Sequence, residues 1–204
     1  MKGKFITFEG SEGCGKSTQS KLLDKYLRSR GYATVYLREP GGTKVSEKIR
    51  KLLLDTKNDS MIPECELFLY MAARAQVVSE VIRPALRQGK IVICDRFLDS
   101  TLAYQGYGLG MDLGFIKILG KFAAFCVSPD LTIFLDLTAE QGLKRAGKVK
   151  DRIERRALSY HRRVRRGYFA LAKAYPRRIK IIKADDAKTA IQDRIRKEVC
   201  RLKI

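Results

Sequence analysis

The sequence contains a single histidine, His161, and no tryptophan. One histidine excludes a zinc site with several histidine ligands, and it excludes a Ser-His catalytic relay. The five cysteines form no C-x-x-C pair, and Cys94 and Cys126 lie in apolar surroundings, where free cysteine acts as a small hydrophobic residue. We therefore expect a protein of the reducing cytoplasm whose chemistry does not depend on histidine, as is true of phosphoryl transfer.

Long apolar runs are also missing. No stretch approaches the roughly 18 residues that a membrane span requires, and a strand pattern begins close to Met1. These features predict a soluble chain with no targeting segment and no membrane partner. Its 204 residues, 45% of them hydrophobic, are enough for one domain over residues 1–204 with a small lid.

Acidic residues are few: 22 aspartates and glutamates stand against 42 lysines and arginines, and the net charge is +20. The segment from Lys144 to Lys180 holds fifteen basic residues and two acids. It could bind nucleic acid, or it could be a solvated helix face with a few arginines that fold over a nucleotide. The aromatic residues of the segment are Tyr160, Tyr168, Phe169 and Tyr175. Their spacing is close to that of a helical core, which favours the second interpretation over an exposed stacking platform.

Residues 4–18, KFITFEGSEGCGKST, have the pattern of a buried strand, a glycine-rich turn and a helix start. Gly10 to Ser17 fits G-x-x-x-x-G-K-S, the phosphate-binding loop of nucleotide-dependent enzymes. Glycines allow positive φ and bring backbone N–H groups against oxyanions, and the helix start adds partial positive charge. Lys16 would then reach the β- and γ-phosphates, and the Ser17 hydroxyl would bind Mg²⁺. A plain glycine turn is the alternative, but the strand before it and the periodic helix after it favour a phosphate loop.

Charged residues also follow the second and third predicted strands. Arg38 and Glu39 follow ATVYL, and Asp95 follows KIVIC. In an open α/β sheet, ligands bind beyond the carboxyl ends of the strands, where the phosphate loop also lies. An arginine at this edge suits a phosphate, and a carboxylate suits Mg²⁺ or its water.

The apolar face of a predicted helix over residues 63–87 contains one cation. Arg74 lies one turn after Tyr70 on this face. A cation in this position is unusual unless it points into a cleft, where the tyrosine could stack on a base and the arginine could hold a phosphate.

Apolar strands alternate with helices along the whole chain. Strands are predicted around residues 5–8 and at 33–37, 90–94, 131–137 and 179–182. Helices are predicted at 16–30, 43–55, 63–87, 112–126 and 187–202. Between the fourth and fifth strands, two more helices are predicted, one that ends near residue 146 and one that ends near residue 175. This order predicts an α/β fold of the phosphate-loop nucleoside triphosphatase (P-loop NTPase) type, a doubly wound five-stranded parallel sheet with helices on both faces and a small lid at about 145–155.

Six segments extend over nearly the whole chain: FEGSEGCGKST, REPGGT, YMAARAQ, DRFLDSTLAYQG, PDLTIFLDL and DRIE. They occur in the order that the thymidylate kinase family has. Two of them would fit several nucleoside monophosphate kinases, but six in order are specific. The sequence therefore resembles that family of dTMP kinases. Gly13 stands where some members have arginine, which makes the chain similar to the bacterial form, in which the lid supplies arginine.

The resemblance implies an enzyme that transfers a phosphoryl group from ATP, with Mg²⁺, to dTMP and supplies dTDP for DNA precursors. It implies contact with ATP for Gly10, Ser11, Glu12, Gly13, Cys14, Gly15, Lys16, Ser17 and Thr18. It implies that Glu9, Ser17 and Asp95 arrange Mg²⁺ and its waters. It implies contact with dTMP for Glu9, Arg38, Glu39, Tyr70, Arg74, Arg96, Thr101, Tyr104 and Gln105. The residues implied in catalysis are Lys16, Arg38, Asp95 and Arg152.

Within the acceptor set, the resemblance assigns separate tasks. Arg38 and Arg96 would bind the dTMP phosphate. Tyr70 would stack on thymine in place of the family's usual phenylalanine, and Tyr104 would pack under the deoxyribose and disfavour a 2′-hydroxyl. The thymine edge would be read by Arg74, Thr101 and Gln105.

The lid departs from the pattern of the family. The resemblance implies that Arg152, together with Arg145, neutralises charge as the phosphoryl group moves. The lid is short, however, and Lys148 and Lys150 stand in place of further arginines. Lysine lacks the two-pronged geometry with which arginine binds phosphate oxygens.

Two other interpretations stay open at this point. Another nucleoside monophosphate kinase would share the loop and fold but not the DRF…AYQG segment. A phosphate-loop protein that acts on nucleic acid would use the high positive charge. The resemblance also implies a homodimer, for which the predicted helices 63–87 and 112–126 could supply the interface, although their apolar faces could equally be core.

Overall fold

The structure is a computed structural model, which describes residues 3–147 and 150–202. Its centre is a five-stranded parallel sheet with the order β2-β3-β1-β4-β5. The strands are β1 Lys4–Glu9, β2 Thr34–Arg38, β3 Ile91–Asp95, β4 Leu131–Asp136 and β5 Ile179–Lys183. All five lie within about a residue of their predicted positions, and the predicted fold class is confirmed.

Helices connect successive strands and cover the sheet. They are α1 Lys16–Ser29, α2 Lys44–Leu54, α3 Pro63–Val77, α4 Arg83–Arg87, α5 Leu98–Thr101, α6 Leu113–Ala123, α7 Ala139–Arg145, α8 Leu158–Ala174 and α9 Lys188–Cys200. A short 3₁₀ turn, Thr56–Asn58, follows α2. Side-chain caps fix several helix starts; for example, the Thr43 hydroxyl accepts a hydrogen bond from Ser46 N at the start of α2.

Apolar residues alternate along the strands and therefore build a core on each face of the sheet. Ile6 and Ile133 pack with α1 and α9 on one face. Phe5 packs on the opposite face with the region around α3 and α4, and Phe134 packs with α6 and α8. This arrangement leaves the carboxyl ends of β1, β2 and β3 together at one edge, since Arg38 and Phe8 both lie opposite Asp95.

The helical segment predicted at 63–87 is present, but it is not one regular helix. A π-helical turn, Val78–Ile82, separates α3 from α4. Pro84 lies two residues after this turn, at the start of α4, and because proline has no N–H to donate, a wider turn before it accommodates the missing bond.

A second π-helical turn was not predicted. α5 continues into Leu102–Gly108, the polar segment that follows β3. Thr101, Tyr104 and Gln105 therefore project from a helix and not from a loop. Wide turns of this type are frequent at functional sites, because they redirect side chains.

Many arginines of the basic segment make ion pairs with acids elsewhere in the chain. The pairs are Arg152 and Arg156 with Glu66, Arg162 with Glu140, Arg165 with Asp136, and Arg178 with Asp99. Tyr160, Tyr168 and Leu171 on α8 are buried. This placement supports the interpretation of the segment as a helix with one core face and internally bound arginines.

Among the described residues, no helix is both long enough and apolar enough to cross a membrane. The five cysteines are free thiols, and burial raises the pKa of Cys94 well above its usual range.

Candidate active site

The phosphate loop has the backbone that its glycines predict. Gly10, Gly13 and Gly15 have φ values of 143°, 65° and 90°, which side chains rarely permit. Gly15 directly precedes α1, so the free N–H groups of the first turn lie at the loop. This combination of glycine turn and helix start is suited to bind phosphate oxygens.

Helix α7 lies very close to the phosphate loop. A Cβ added to Gly13 would lie 2.1 Å from Gly142 O, and a Cβ added to Gly142 would lie 2.2 Å from Glu12 O. Any side chain at either position would therefore meet backbone. An arginine at position 13 would therefore clash with α7, and the contact identifies Gly142 as a site residue that the sequence did not predict. In the sequence, the presence of a glycine inside a short helix could have indicated this residue.

Two polar groups of the loop face the cleft. Lys16 Nζ donates to Ser11 O over 2.8 Å, and its side chain is buried. The Ser17 hydroxyl donates to Asp95 Oδ2. Hydroxyl and carboxylate oxygens are ligands that Mg²⁺ prefers, together with substrate phosphates, so Ser17 and Asp95 fit the predicted metal site.

The cleft at the carboxyl edge of the sheet has a volume of about 420 Å³. From the predicted ATP set, it is lined by Glu12, Gly13, Gly15, Lys16, Ser17 and Thr18. From the predicted acceptor set, it is lined by Arg38, Glu39, Tyr70, Arg74, Arg96, Thr101, Tyr104 and Gln105, together with Asp95. The structure thus brings fifteen of the twenty predicted site residues to one cavity, although they come from four separate segments of the chain.

Three guanidinium groups that line the cleft, those of Arg38, Arg50 and Arg96, lie near one another. Arg38 pairs with Glu47 at 3.1 Å, and Arg50 donates to Pro40 O over 3.0 Å. Burial lowers the pKa of Arg50, and repulsion from Arg38 and Arg96 lowers it further. The sequence did not predict Arg50, which lies on α2 among other basic residues. A dianionic phosphate would relieve the mutual repulsion of the three cations.

Arg96 is held in an uncommon conformation. Its φ is 71°, in the left-handed region, and such residues cluster at active sites. Its guanidinium contacts Glu12 at 2.9 Å and Gly10 O at 3.1 Å, and it lies over the Tyr104 ring.

Glu12 was predicted to contact ATP through the loop, but its side chain points to the acceptor side. Its Oε1 accepts a hydrogen bond from Tyr104 OH over 2.6 Å, and its two oxygens bind Arg96. Burial alone would raise the pKa of Glu12, but Arg96 and Lys16 outweigh burial and lower it to about 2. The carboxylate is therefore ionised at neutral pH. It binds Arg96, which the resemblance implies would bind the acceptor phosphate.

A polar pocket around Arg74 lines the same cleft. Arg74 Nε binds Glu39 at 2.9 Å, and Arg74 Nη2 donates to Thr101 Oγ1 over 3.1 Å. Gln105 is buried beside them, and Tyr70 is partly exposed to the cleft. Burial raises the pKa of Tyr70, so the ring is neutral. An aromatic face next to several fixed hydrogen-bonding groups can accept a planar heterocycle.

Glu66 is a further residue that the sequence did not predict. It is fully buried, and it binds Gln105, Arg152 and Arg156. Glu66, Tyr70 and Arg74 are each four residues apart on α3, so they lie on one stripe. In the sequence, this spacing of four residues could have indicated that Glu66 belongs to the site.

Glu9 lies behind the cleft and does not line it. Its carboxylate accepts hydrogen bonds from Phe97 N over 2.7 Å, from Tyr168 OH over 3.1 Å, and from Ser100 Oγ. Burial raises the pKa of Glu9 to about 7, and Asp99 adds to this increase. The position of Glu9 supports the backbone that carries Arg96. The predicted contacts of Glu9 with metal and acceptor remain predictions.

Arg152 also does not line the cleft. Its Nε donates to Leu53 O over 2.9 Å, and its Nη2 binds Glu66. Asp151 and Glu154 from the same segment do line the cleft. Contact between Arg152 and a phosphoryl group would require these bonds to break, so the predicted catalytic role stays a prediction. Arg145 donates to Ala184 O over 3.1 Å, and Lys148 lies outside the described residues.

The remaining loop residues, Gly10, Ser11 and Cys14, lie beneath the cleft. Gly10 O and Ser11 O accept from Arg96 and Lys16, while Cys14 is buried in the core. A parallel sheet with a phosphate loop beside its central strand, a serine–aspartate pair and a cationic cleft defines a phosphate-loop kinase.

Comparison with known proteins identifies the family. A family model described as thymidylate kinase matches residues 8–195. The chain belongs to the thymidylate kinase family, enzymes that phosphorylate dTMP to dTDP, which confirms the resemblance inferred from the six motifs.

Individual relatives agree with this assignment. The thymidylate kinase of Pelotomaculum thermopropionicum is 52% identical over 194 residues, which cover 94% of this chain and 90% of the relative. That of Thermoanaerobacter pseudethanolicus is 50% identical over 183 residues, with 89% and 90% covered. A crystal structure of thymidylate kinase from Ehrlichia chaffeensis has a TM-score of 0.82 and 36% identity, and covers 98% of this chain and 100% of that chain.

Proposed function

We propose that this chain binds ATP at the phosphate loop and dTMP in the adjoining cleft, and transfers the γ-phosphoryl group between them. One observation carries the proposal. A single cavity is lined by Lys16 and Ser17, by Arg38, Arg50 and Arg96, and by the polar pocket at Arg74. These three sets of groups suit the triphosphate, the acceptor phosphate and the base of the two substrates.

In the proposed reaction, an oxygen of the dTMP phosphate bonds to the γ-phosphorus of ATP while the bond to the ADP oxygen breaks. The phosphate is already anionic at neutral pH, so no general base is required. Lys16 meets charge on the transferring group, and the arginine cluster orients the acceptor phosphate. Mg²⁺, held by Ser17, Asp95 and the substrate phosphates, would neutralise charge on the β- and γ-phosphates when bound.

Acceptor binding must rearrange two ion pairs. Arg96 is bound to Glu12, and Arg38 is bound to Glu47. The acceptor phosphate replaces carboxylate oxygens as a partner of these arginines. Glu12 then remains beside Tyr104, under the proposed sugar position, where its carboxylate can accept a hydrogen bond from a sugar hydroxyl.

The most direct test is a coupled assay of ADP release with dTMP, dUMP, UMP, CMP and AMP as acceptors. We expect dTMP to give the highest kcat/KM. A preference for another acceptor would indicate a different nucleoside monophosphate kinase. ADP release that requires DNA and falls with added salt would indicate action on nucleic acid.

Replacement of Gln105 by alanine tests the base pocket. We expect Gln105→Ala to raise KM for dTMP by about tenfold or more and to leave KM for ATP nearly unchanged, because a buried base edge would lose its partner only on the acceptor side. Initial-rate kinetics with each substrate varied in turn would measure both constants. Equal increases in the two KM values would contradict the placement of the base.

We also propose that the protein is a homodimer that associates through α3 and α6. These helices pack together and expose a group of large apolar side chains, whose exposed fractions are high: Phe68 53%, Phe115 47%, Ile118 71% and Phe122 83%. Apolar patches of this kind are typical of interaction surfaces. Isologous contact between two copies would cover the same face on both.

Replacement of Phe122 by glutamate tests this interface. We expect a wild-type mass in solution of about twice 23.2 kDa and a large shift of Phe122→Glu toward the mass of one chain, because the substitution would place a charge in the apolar contact. Sedimentation equilibrium measures both masses, and Val45→Glu, another exposed apolar position, is the control. A wild-type monomer, or a Phe122→Glu protein as dimeric as the control, would contradict the proposal.

Residues 1–204 are proposed to act as one domain in which the segment 145–155 serves as a lid. Asp151, Ile153 and Glu154 line the cleft, which supports such a role. The free cysteines agree with the proposed reducing, cytoplasmic location.

A further inference from the structure

The fully buried carboxylate of Glu66 has no role in the proposed phosphoryl transfer. It lies on α3, behind the base pocket, and its relative exposure is 0%. Its Oε1 accepts a hydrogen bond from Gln105 Nε2 over 2.8 Å. Its Oε2 binds Arg156 at 2.6 Å and also binds Arg152. A buried carboxylate is costly unless it is paired and hydrogen-bonded, and these three partners satisfy that requirement.

The charge of Glu66 determines which way the Gln105 amide points. An ionised carboxylate can only accept hydrogen bonds, so it must face the NH₂ group of the amide and not its oxygen. Gln105 Oε1 is therefore directed away from Glu66. Within residues 3–147 and 150–202, no protein group donates a hydrogen bond to this oxygen, and the Gln105 side chain lines the cleft. The amide consequently offers an acceptor to a bound ligand.

The neighbouring arginines hold this arrangement in place. Arg152 also binds Leu53 O on α2, and Arg156 Nη1 donates to Tyr160 OH over 2.7 Å. The carboxylate is thus fixed by groups from the segment after α7 and from α8. A Glu66 side chain held in this way cannot turn to release the Gln105 amide without breaking several charged hydrogen bonds.

We propose that Glu66 is a positioning residue for base selectivity, which orients Gln105 so that its carbonyl oxygen accepts a hydrogen bond from the base. This proposal rests on the placement of the acceptor base in this cleft. The N3 atom of thymine and uracil carries a hydrogen and can donate, whereas N3 of cytosine is an acceptor. Two acceptors would face each other in a cytosine complex, and a buried unpaired acceptor is penalised. The site therefore rejects cytosine through the charge of a residue that does not touch the base.

The matched substrates dUMP and dCMP isolate this effect, because both lack the 5-methyl group and differ only in the base edge. In Glu66→Gln, residue 66 gains an NH₂ group and can donate to Gln105 Oε1, so the Gln105 amide can rotate and donate to cytosine. We expect the ratio of kcat/KM for dUMP to that for dCMP to fall by about tenfold or more, with KM for ATP changed less than about twofold. Glu140→Gln is the control, since Glu140 is an exposed acid paired with Arg162, and it should keep the wild-type ratio.

The results distinguish a failure of the proposal for Glu66 from a failure of the placement of the base. A Glu66→Gln enzyme that loses activity with dUMP and dCMP equally would show a merely structural role and would overturn the proposal. A wild-type enzyme that does not prefer dUMP to dCMP would instead overturn the placement of the base.

If Glu66→Gln does not fold, the wild-type protein can be tested by NMR with ¹⁵N-labelled glutamine. The side-chain amide signal of Gln105 is assigned by its absence in Gln105→Ala. We expect its amide protons to keep their shifts when dUMP binds, because they remain on Glu66. A large shift, as for an NH₂ group that turns to the base, would overturn the proposal.

Discussion

Lys16→Ala is expected to lower kcat by more than about tenfold and to leave the fold intact. Lys16 lies at the start of α1, where its amino group can meet the charge of the transferring phosphoryl group. Its described contacts, Ser11 O at 2.8 Å and Cys14 Sγ at 3.6 Å, lie within the phosphate loop itself. Truncation therefore removes a charge from the site without opening a cavity in either apolar core.

Steady-state kinetics and thermal unfolding would measure the two parts of this prediction. Lys25→Ala is a suitable control, because Lys25 is exposed on the same helix and does not line the cleft. It should match the wild-type protein in both measurements. A Lys16→Ala enzyme that retained more than about a tenth of the wild-type kcat would contradict the assignment of the phosphate loop.

Arg152→Met is expected to reduce the free energy of unfolding by about 3 kcal/mol. Arg152 binds a carbonyl at the end of α2 and the buried carboxylate of Glu66 on α3. Its removal leaves Leu53 O without this donor and Glu66 with fewer positive partners. For a domain of this size, the melting temperature should fall by about 6–12 °C.

Arg162→Met provides the comparison, because Arg162 forms an exposed pair with Glu140. Loss of an exposed pair should change stability by about 0–1 kcal/mol. Arg152→Lys should recover only part of the loss, since a single ammonium nitrogen cannot take the place of both the Nε donor to Leu53 O and the Nη2 donor to Glu66. If Arg152→Met instead kept the wild-type stability and lowered kcat by about two to four orders of magnitude, Arg152 would act on the transition state, as the family resemblance implies.

The sheet could be predicted from sequence because its strands are short, apolar and buried on both faces. Short apolar runs such as KIVIC and LTIFLDL lie between two helical patterns, where a buried strand is the one element that fits them. The π-helical turns could not be predicted in this way, since their wider hydrogen bonding leaves no periodic signature over five or seven residues. Pro84 is only an indirect sign of the first π-helical turn. The polar residues of segment 98–108 do not show the apolar pattern of a helix, so the second turn was not predicted.

Site residues could be predicted from the sequence where one short motif contains the residues that do the chemistry. Lys16 and Ser17 follow the loop after β1, and Asp95 ends β3, so their meeting at one edge follows from a parallel sheet. Side-chain direction was the harder problem. Glu12 and Glu9 are three residues apart, yet one carboxylate faces the cleft and the other lies behind it. Glu66 acts through contacts with residues 39 to 90 positions away in sequence, and such contacts are set by tertiary packing alone.

The close contact between the phosphate loop and α7 restricts how this protein could be engineered. Alanine inside a helix is favoured over glycine by about 1 kcal/mol, so a procedure that optimises helix propensity would choose alanine at position 142. The added methyl group would meet Glu12 O at 2.2 Å. It would displace the loop segment that carries the Glu12 carboxylate and so disturb the position of Arg96. A substitution that stabilises the isolated helix would therefore act as an active-site mutation, although residue 142 has no side chain and does not line the cleft.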